Sequence, residues 1–362
     1  MANLFFLLSG ENKTLPASEI KAILEAEGYT YSNPLEFDQV LCLESELESV
    51  KTVQIRSAYT RVCAQKILIS EANYNDITKA VKKSDFSSVI KSGESFVVRI
   101  NRIKNYSDEE INTMELEVRL GKQILDQTKD TKVNLKNPDK TLIGILTNEK
   151  LVLGLKLTEI TSKTFSERRP RKKPFFHPSA MPSKMARCMV NLTRIKPEQI
   201  LLDPFCGTGT SLIEATFIGC RVVGIDAQKS MILGTKKNML HFNIKAEGLL
   251  LADSRKIPLS KVDAIVTDPP YGRSSSTLKS TTKQLIQEIM VSSYKLLNVG
   301  HRICIAMPII GDKLGRNISV SKELARFIEE LGFKRVESHL VYIHQTLTRE
   351  IIVYEKLKNK TL

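Results

Sequence analysis

Leu201-Leu-Asp-Pro-Phe-Cys-Gly-Thr-Gly-Thr210 decides the architecture of the second half of this 362-residue chain. A short apolar strand ends in a carboxylate, and two glycines then lead into a helix. Glycines at such a turn let the backbone approach a ligand with no Cβ in the way. The turn opens on a helix N-terminus, whose unpaired N–H groups favour polar ligand groups. A dinucleotide site would carry G-x-G-x-x-G, with the third glycine allowing close helix packing. Gly207 and Gly209 fit that pattern, but Leu212 stands in the third place.

Outward from this turn, apolar strands alternate with helices. Strands are predicted at 200–202, 221–225, 248–252, 264–267 and 303–307. Helices are predicted at about 211–218, 230–242, 279–297 and 321–331. That rhythm implies an α/β fold with a parallel, Rossmann-like sheet covered on both faces. Two closing strands, 335–343 and 350–354, have no helix between them. They complete seven strands and make the last one antiparallel.

Acidic residues sit at successive strand ends. Asp203 precedes the glycines, where it would repel a pyrophosphate but favour an ammonium and a sulfonium. Asp226 ends the second strand and can accept bonds from both ribose hydroxyls. Asp253 ends the third, where it can take an adenine amino group. In this order the set predicts an S-adenosylmethionine site.

Asp268-Pro-Pro-Tyr271 follows the fourth strand at its carboxyl end, where open α/β sheets place ligands. An exocyclic amino nitrogen on a flat ring is a poor nucleophile, because its lone pair is delocalised. Asp268 and the carbonyl after it can accept both N–H bonds and free that lone pair. Pro269, with fixed φ and no N–H, stiffens the tetrad. Tyr271 offers a ring for stacking on the base, worth about 1–3 kcal/mol in base-stacking systems. A duplexed base must first leave its stack.

The first half reads differently: short mixed elements in an α+β pattern, with sheets of few strands. A helix over 16–27 ends at Gly28, and a longer helix over about 109–127 carries Leu116, Leu120, Ile124 and Leu125 on one stripe. The boundary is Ser166-Glu-Arg-Arg-Pro-Arg-Lys-Lys-Pro174. Five cations and two prolines in seven residues suit an exposed linker, and Arg168–Lys173 reads as a phosphate-contacting hinge.

The chain carries 54 basic and 40 acidic residues, net +14. Residues 1–159 hold 21 and 23, residues 160–174 hold 6 and 1, and residues 175–362 hold 27 and 16. The excess therefore sits in the connector and the second half, which suggests a polyanionic partner there. Hydrophobic residues at 42% and charged residues at 26% exclude whole-chain disorder. The apolar run at 4–8 is too short for a membrane span and follows no basic segment, so it reads as a strand. Six cysteines show no CxxC spacing and no metal-ligand pattern, which suits reduced thiols in a cytoplasmic protein without a metal.

The second half resembles the amino-directed class I methyltransferases. The whole chain resembles the archaeal tRNA guanine-N2-methyltransferases that carry a THUMP domain and act on guanosine 10. The likeness rests on Leu120-Gly-Lys-Gln-Ile-Leu125 with Val133-Asn-Leu-Lys-Asn-Pro-Asp139, and on Pro174-Phe-Phe-His-Pro-Ser-Ala-Met181 through Arg187. It also rests on 203–210, 268–273 and His344-Gln-Thr-Leu-Thr-Arg349. It is weakest over 1–45, and Thr210-Ser211 departs from a pattern in which relatives often have Gly.

The resemblance implies a ferredoxin-like part at 1–47, a THUMP RNA-binding domain at 48–159, a basic linker at 160–176 and a methyltransferase domain at 177–362. It implies that Asp203, Gly207 and Gly209 surround the methionine part of the cofactor, with Asp226 on the ribose and Asp253 on the adenine. Asp268, Pro269 and Tyr271 would hold the guanine. Cys206 belongs to the cofactor turn as a packing residue, since amino methylation needs no nucleophile. His177 lies in a segment that can cover the cofactor or the base. Arg99, Arg102, Lys104, Lys122 and Lys136 are candidates for a tRNA patch in the first half. No membrane partner is implied, and a small helper subunit is left open. The residues alone leave two rivals: an N6-adenine methyltransferase, which the tetrad serves equally well, and a noncatalytic RNA-binding protein.

Overall fold

A computed structural model describes residues 1–104, 111–270, 281–311, 317–344 and 347–358. The chain forms two compact units. One holds Met1–Ile20, Gly28–Ile55 and Tyr59–Thr161, and the other holds Lys21–Glu27, Arg56–Ala58 and Ser162–Leu362.

The first half runs β1 (Ala2–Leu8), α1 (Leu15–Glu27), β2 (Tyr31–Phe37), β3 (Val40–Ser45), α2 (Ser49–Arg56) and β4 (Thr60–Glu71). It continues with α3 (Tyr74–Lys83), β5 (Ser95–Arg102), α4 (Thr113–Leu125), β6 (Lys132–Val133), β7 (Lys140–Thr147) and β8 (Lys150–Glu159). The expected small sheets are replaced by one eight-stranded sheet, ordered β2-β3-β1-β4-β8-β7-β5-β6. The cause is β4. Its twelve residues pair antiparallel with β1 on one side and β8 on the other. Phe5, Cys42, Ala64, Ile145 and Val152 then share one core across both parts. Strand β2 escaped prediction because Tyr-Ser-Asn-Pro-Leu-Glu-Phe is polar and half-exposed, as an edge strand can be. On α4, Leu116, Leu120 and Ile124 of the predicted stripe are buried, while Leu125 is only partly buried.

The second half runs α5 (Lys163–Glu167), a 3₁₀ turn (Pro170–Lys172), α6 (Ser183–Leu192), β9 (Ile200–Asp203), α7 (Thr210–Thr216), β10 (Arg221–Asp226) and α8 (Lys229–His241). Then follow β11 (Gly248–Leu251), β12 (Val262–Thr267), α9 (Thr282–Leu296), β13 (Leu297–Gly311), β14 (Asn317–Ser319), α10 (Val320–Leu331), β15 (Phe333–His344) and β16 (Leu347–Lys356). Seven strands lie in the order β11-β10-β9-β12-β13-β16-β15, and β14 pairs with β13 off this path. The first five are mutually parallel, and β16 runs antiparallel to both its neighbours. The carboxyl ends of β9, β10 and β12 therefore meet at one rim. Leu202, Ile225, Ile265, Ile289, Ile305 and Phe333 form the core beneath it.

Candidate functional site

The turn between β9 and α7 is held from two sides. Gly207 and Gly209 both have positive φ, +52° and +78°, which a residue with a Cβ rarely adopts. Gly209 caps α7, and a Cβ there would lie 2.7 Å from Thr235 Cγ2. A Cβ on Gly207 would meet only the Phe205 carbonyl, at 3.9 Å, so this position faces open space. From α8, the Thr235 hydroxyl donates to the Gly207 carbonyl at 2.7 Å. Asn238, fully buried, donates through Nδ2 to the Thr208 carbonyl at 2.9 Å. Leu212, in the place of a third glycine, is fully buried on α7.

Asn238 also binds the segment after the connector. Its Nδ2 donates to the Phe175 carbonyl at 2.9 Å, and its Oδ1 accepts from the Phe175 N–H at 2.8 Å. A Cβ on Gly234 would fall 2.0 Å from the Phe175 ring, so the missing side chain lets the ring seat on α8. The Phe-Phe-His-Pro segment is thus tied to the cofactor turn through one amide. His177 itself turns toward Ser179, with Nδ1 2.7 Å from the hydroxyl.

The strand-end acids differ sharply. Asp203 is 3% exposed, and its Oδ1 accepts from the Phe205 N–H at 3.1 Å. Burial pushes its carboxyl up to about 7, and the charge of Asp268 adds to that. Asp226 accepts from the Gly207 N–H at 3.1 Å and the Gln228 N–H at 2.9 Å, and burial also raises it. Asp253 lies two residues beyond β11, not at its end as predicted. The Arg255 Nε lies 2.9 and 2.8 Å from its two oxygens, and this hydrogen bonding holds the carboxyl below the usual range. Cys206 is 5% exposed, and burial raises its thiol well above the usual value, as suits packing.

Asp268 follows β12. Leu202 on β9 pairs with Ile265 on β12, so Asp203 lies one residue past that row and Asp268 three. The two carboxylates belong to the same rim. Pro269 is buried. Tyr271 and Arg273 lie outside the described residues. The sequence reading missed the partner of Asp268. Arg349 Nη2 lies 3.1 Å from Asp268 Oδ2, with the side chains 12% and 17% exposed. The only signal was an arginine inside a quoted motif, because the pairing spans three strands.

The basic connector requires a correction. Two of its cations point inward, because α7 presents a buried acid that needs them. Arg168 donates to both oxygens of Glu214, at 2.8 and 3.1 Å, and Arg187 lies 2.9 Å from the same carboxylate, which has no exposed surface. Lys173, 5% exposed, donates to Thr210 Oγ1 at 2.7 Å, and burial pushes it down to about 8. Only Arg169, Arg171 and Lys172 remain exposed. In the first unit Arg99 pairs with Glu117 at 3.4 Å and Lys104 with Asp38 at 2.6 Å, while Arg102 donates to the Ile111 carbonyl. Lys122 and Lys136 are exposed. Among the described residues no group of three or more His, Cys, Asp or Glu could hold a metal ion, and no helix is long and apolar enough to cross a membrane.

This sheet order, with a glycine turn after its first strand and acids at or just past the ends of its first four, defines a class I methyltransferase. Residues 170–348 match the family described as RMKL-like, methyltransferase domain, and residues 71–156 match the THUMP domain. The tRNA (guanine(10)-N2)-dimethyltransferase of Methanothermobacter thermautotrophicus is 35% identical over 352 residues, 97% of this chain and 98% of that protein. The enzyme of the same name from Pyrococcus abyssi is 33% identical, over 93% and 95%. The chain belongs to this family of THUMP-containing tRNA guanine-N2 methyltransferases. The crystal structure of TrmN from Thermus thermophilus shares the fold, with a TM-score of 0.54 at 19% identity over 98% of this chain and all of that one.

Proposed function

We propose that this chain methylates the exocyclic N2 amino group of guanosine 10 in tRNA, using S-adenosylmethionine and giving N2-methyl- and N2,N2-dimethylguanosine. The observation that carries this reading is Asp268, held at the rim where the glycine turn also lies, in a chain aligned along its length with relatives of that name. The residues present fit the cofactor. Gly207 faces open space, Asp203 and Asp226 are carboxylates raised by burial, and a permanent cation relieves such a site. Asp203, Cys206, Gly207 and Gly209 would line the methionine part, with Asp226 on the ribose. Asp253 would take the adenine amino group once it shares or leaves Arg255. His177 would close over this side only by leaving Ser179. When bound, the cofactor supplies an electrophilic methyl group.

The protein's own task is to prepare the nitrogen. Asp268 accepts one N–H of the target amine. Pro269, restricted to extended conformations by Pro270, aims its carbonyl at the other. Tyr271 stacks on the base. We read residues 1–47 as a ferredoxin-like part, 48–159 as the THUMP domain that grips tRNA, 160–176 as the linker and 177–362 as the catalytic domain. Selection of one guanosine then rests on tRNA shape rather than base contacts alone. The test is transfer of a labelled methyl group to an unmodified tRNA transcript, followed by digestion to nucleosides. Methylated guanosine that disappears when guanosine 10 is replaced supports the reading. N6-methyladenosine instead would move the substrate to adenine.

A further inference from the structure

We propose that Arg349 is a positioning residue for methyl transfer: its guanidinium holds Asp268 Oδ2 and so keeps the carboxylate turned toward the target amine. The inference rests on the reading of Asp268 as the acceptor of one N–H of that amine.

The fold brings the arginine to the rim by strand direction. Strand β16 runs antiparallel, so its first residues lie where the parallel strands end. Arg349 stands opposite Pro308 on β13, whereas Thr267, just before Asp268, stands opposite Ile305. One intervening strand separates β16 from β12, a span of about 10 Å across two strand spacings. A long side chain covers that distance.

The register that aims Arg349 is fixed by the next residue. Glu350 is 4% exposed. It accepts from Ser338 at 2.6 Å, Arg335 at 2.8 Å and Ser319 at 2.9 Å, with Ser321 a further donor. Successive strand residues point to opposite faces, so this cluster and the Asp268 pair cannot both survive a one-residue slip.

The chemistry needs a cation there. An ionised Asp268 is the stronger acceptor for an N–H; a protonated acid keeps only its carbonyl oxygen as acceptor and adds an O–H of its own. Two carboxylates, Asp203 and Asp268, end at one rim and feel each other's charge. Neighbouring acids share a proton unless their surroundings differ. Arg349 makes them differ. It pairs Asp268, so that Asp268 has a cation of its own beside Asp203.

The experiment is single-turnover methyl transfer to an unmodified tRNA transcript by full-length protein. It is paired with cofactor affinity by calorimetry, tRNA affinity by filter binding and a thermal midpoint. R349A should slow transfer by about 10²-fold, the scale of a misplaced reacting group. Cofactor and tRNA dissociation constants should stay within about threefold of the parent's, because the proposed role of the arginine is to aim Asp268 for the transfer step. R349K, which keeps the charge but not the planar fork, should recover about tenfold of the loss. It also serves if R349A fails to fold. In a double-mutant cycle with D268N the two losses should not add, as expected of residues that act as a unit.

A full rate in R349A overturns the proposal. So do losses that fall on cofactor or tRNA affinity, an R349K as slow as R349A, or losses additive with D268N. If D268N itself keeps full activity, the reading of Asp268 fails, and the single R349A measurement separates that failure from this one.

Discussion

Acidification should release the cofactor through Asp203. Its carboxyl, 3% exposed and pushed up to about 7, is ionised above that pH and protonated below it. A cofactor cation pairs with the ionised form only, so the apparent dissociation constant grows as one plus the ratio of proton concentration to acid constant. Between about pH 7.5 and about pH 5.5 that factor rises from about 1.3 to about 33, a weakening of about 25-fold. Calorimetry of S-adenosylmethionine binding in two buffers of different protonation enthalpy measures both quantities. At the acid end close to one proton should leave the protein per cofactor bound. D203N should bind weakly and with a much flatter pH profile, the remainder belonging to Asp226, which burial also raises. A constant affinity across that range in the parent, or an equally steep profile in D203N, would refute the reasoning. The stability of the free protein should move the opposite way. A carboxyl raised on folding binds more protons in the folded state, so its contribution is lost as pH rises from about 4 to about 7. D203N should therefore raise the thermal midpoint more in alkali than in acid.

Three further outcomes follow from the turn and the connector. G209A places a Cβ 2.7 Å from Thr235 Cγ2 at a φ of +78°, and should cost about 1–3 kcal/mol of stability in denaturant unfolding as well as cofactor binding. N238A removes the donor shared by the Thr208 and Phe175 carbonyls, and should cost about 1–3 kcal/mol and weaken cofactor affinity by calorimetry. The connector's cations should separate by salt titration of tRNA binding. Removing Arg169, Arg171 and Lys172 together should lower the salt slope by about one per cation, whereas E214A should leave the slope alone and cost about 3–5 kcal/mol of stability, because Arg168 and Arg187 lose a buried partner.

What could be read from the sequence was what lies close together in it. Asp203, Gly207 and Gly209 fall within seven residues, and strand and helix flank them, so position along the chain already stated position in space. The alternation of 200–202, 221–225 and 264–267 with helices fixed the parallel sheet, because both faces of such strands are buried. Arg349 was quoted but given no role, because its partner is 81 residues away and meets it only through strand order. The connector misled for another reason. Composition counts charges but cannot see Glu214, the buried acid that turns Arg168 inward. In the first half, the length of β4 decided the sheet. A run such as Thr60–Glu71 gives no sign that both its edges will be paired.

That strand also sets where the molecule can be cut. A fragment starting at residue 48 would look modular on paper, since it begins between β3 and α2. It would, however, strip β1 from β4, from Leu4 against Gln65 to Leu8 against Thr60. A bare ladder of N–H and C=O groups over an apolar face would remain, and such an edge recruits other chains. The N-terminal strands are thus the guard of the THUMP-bearing half against self-association, and fragments meant to isolate that half should keep β1.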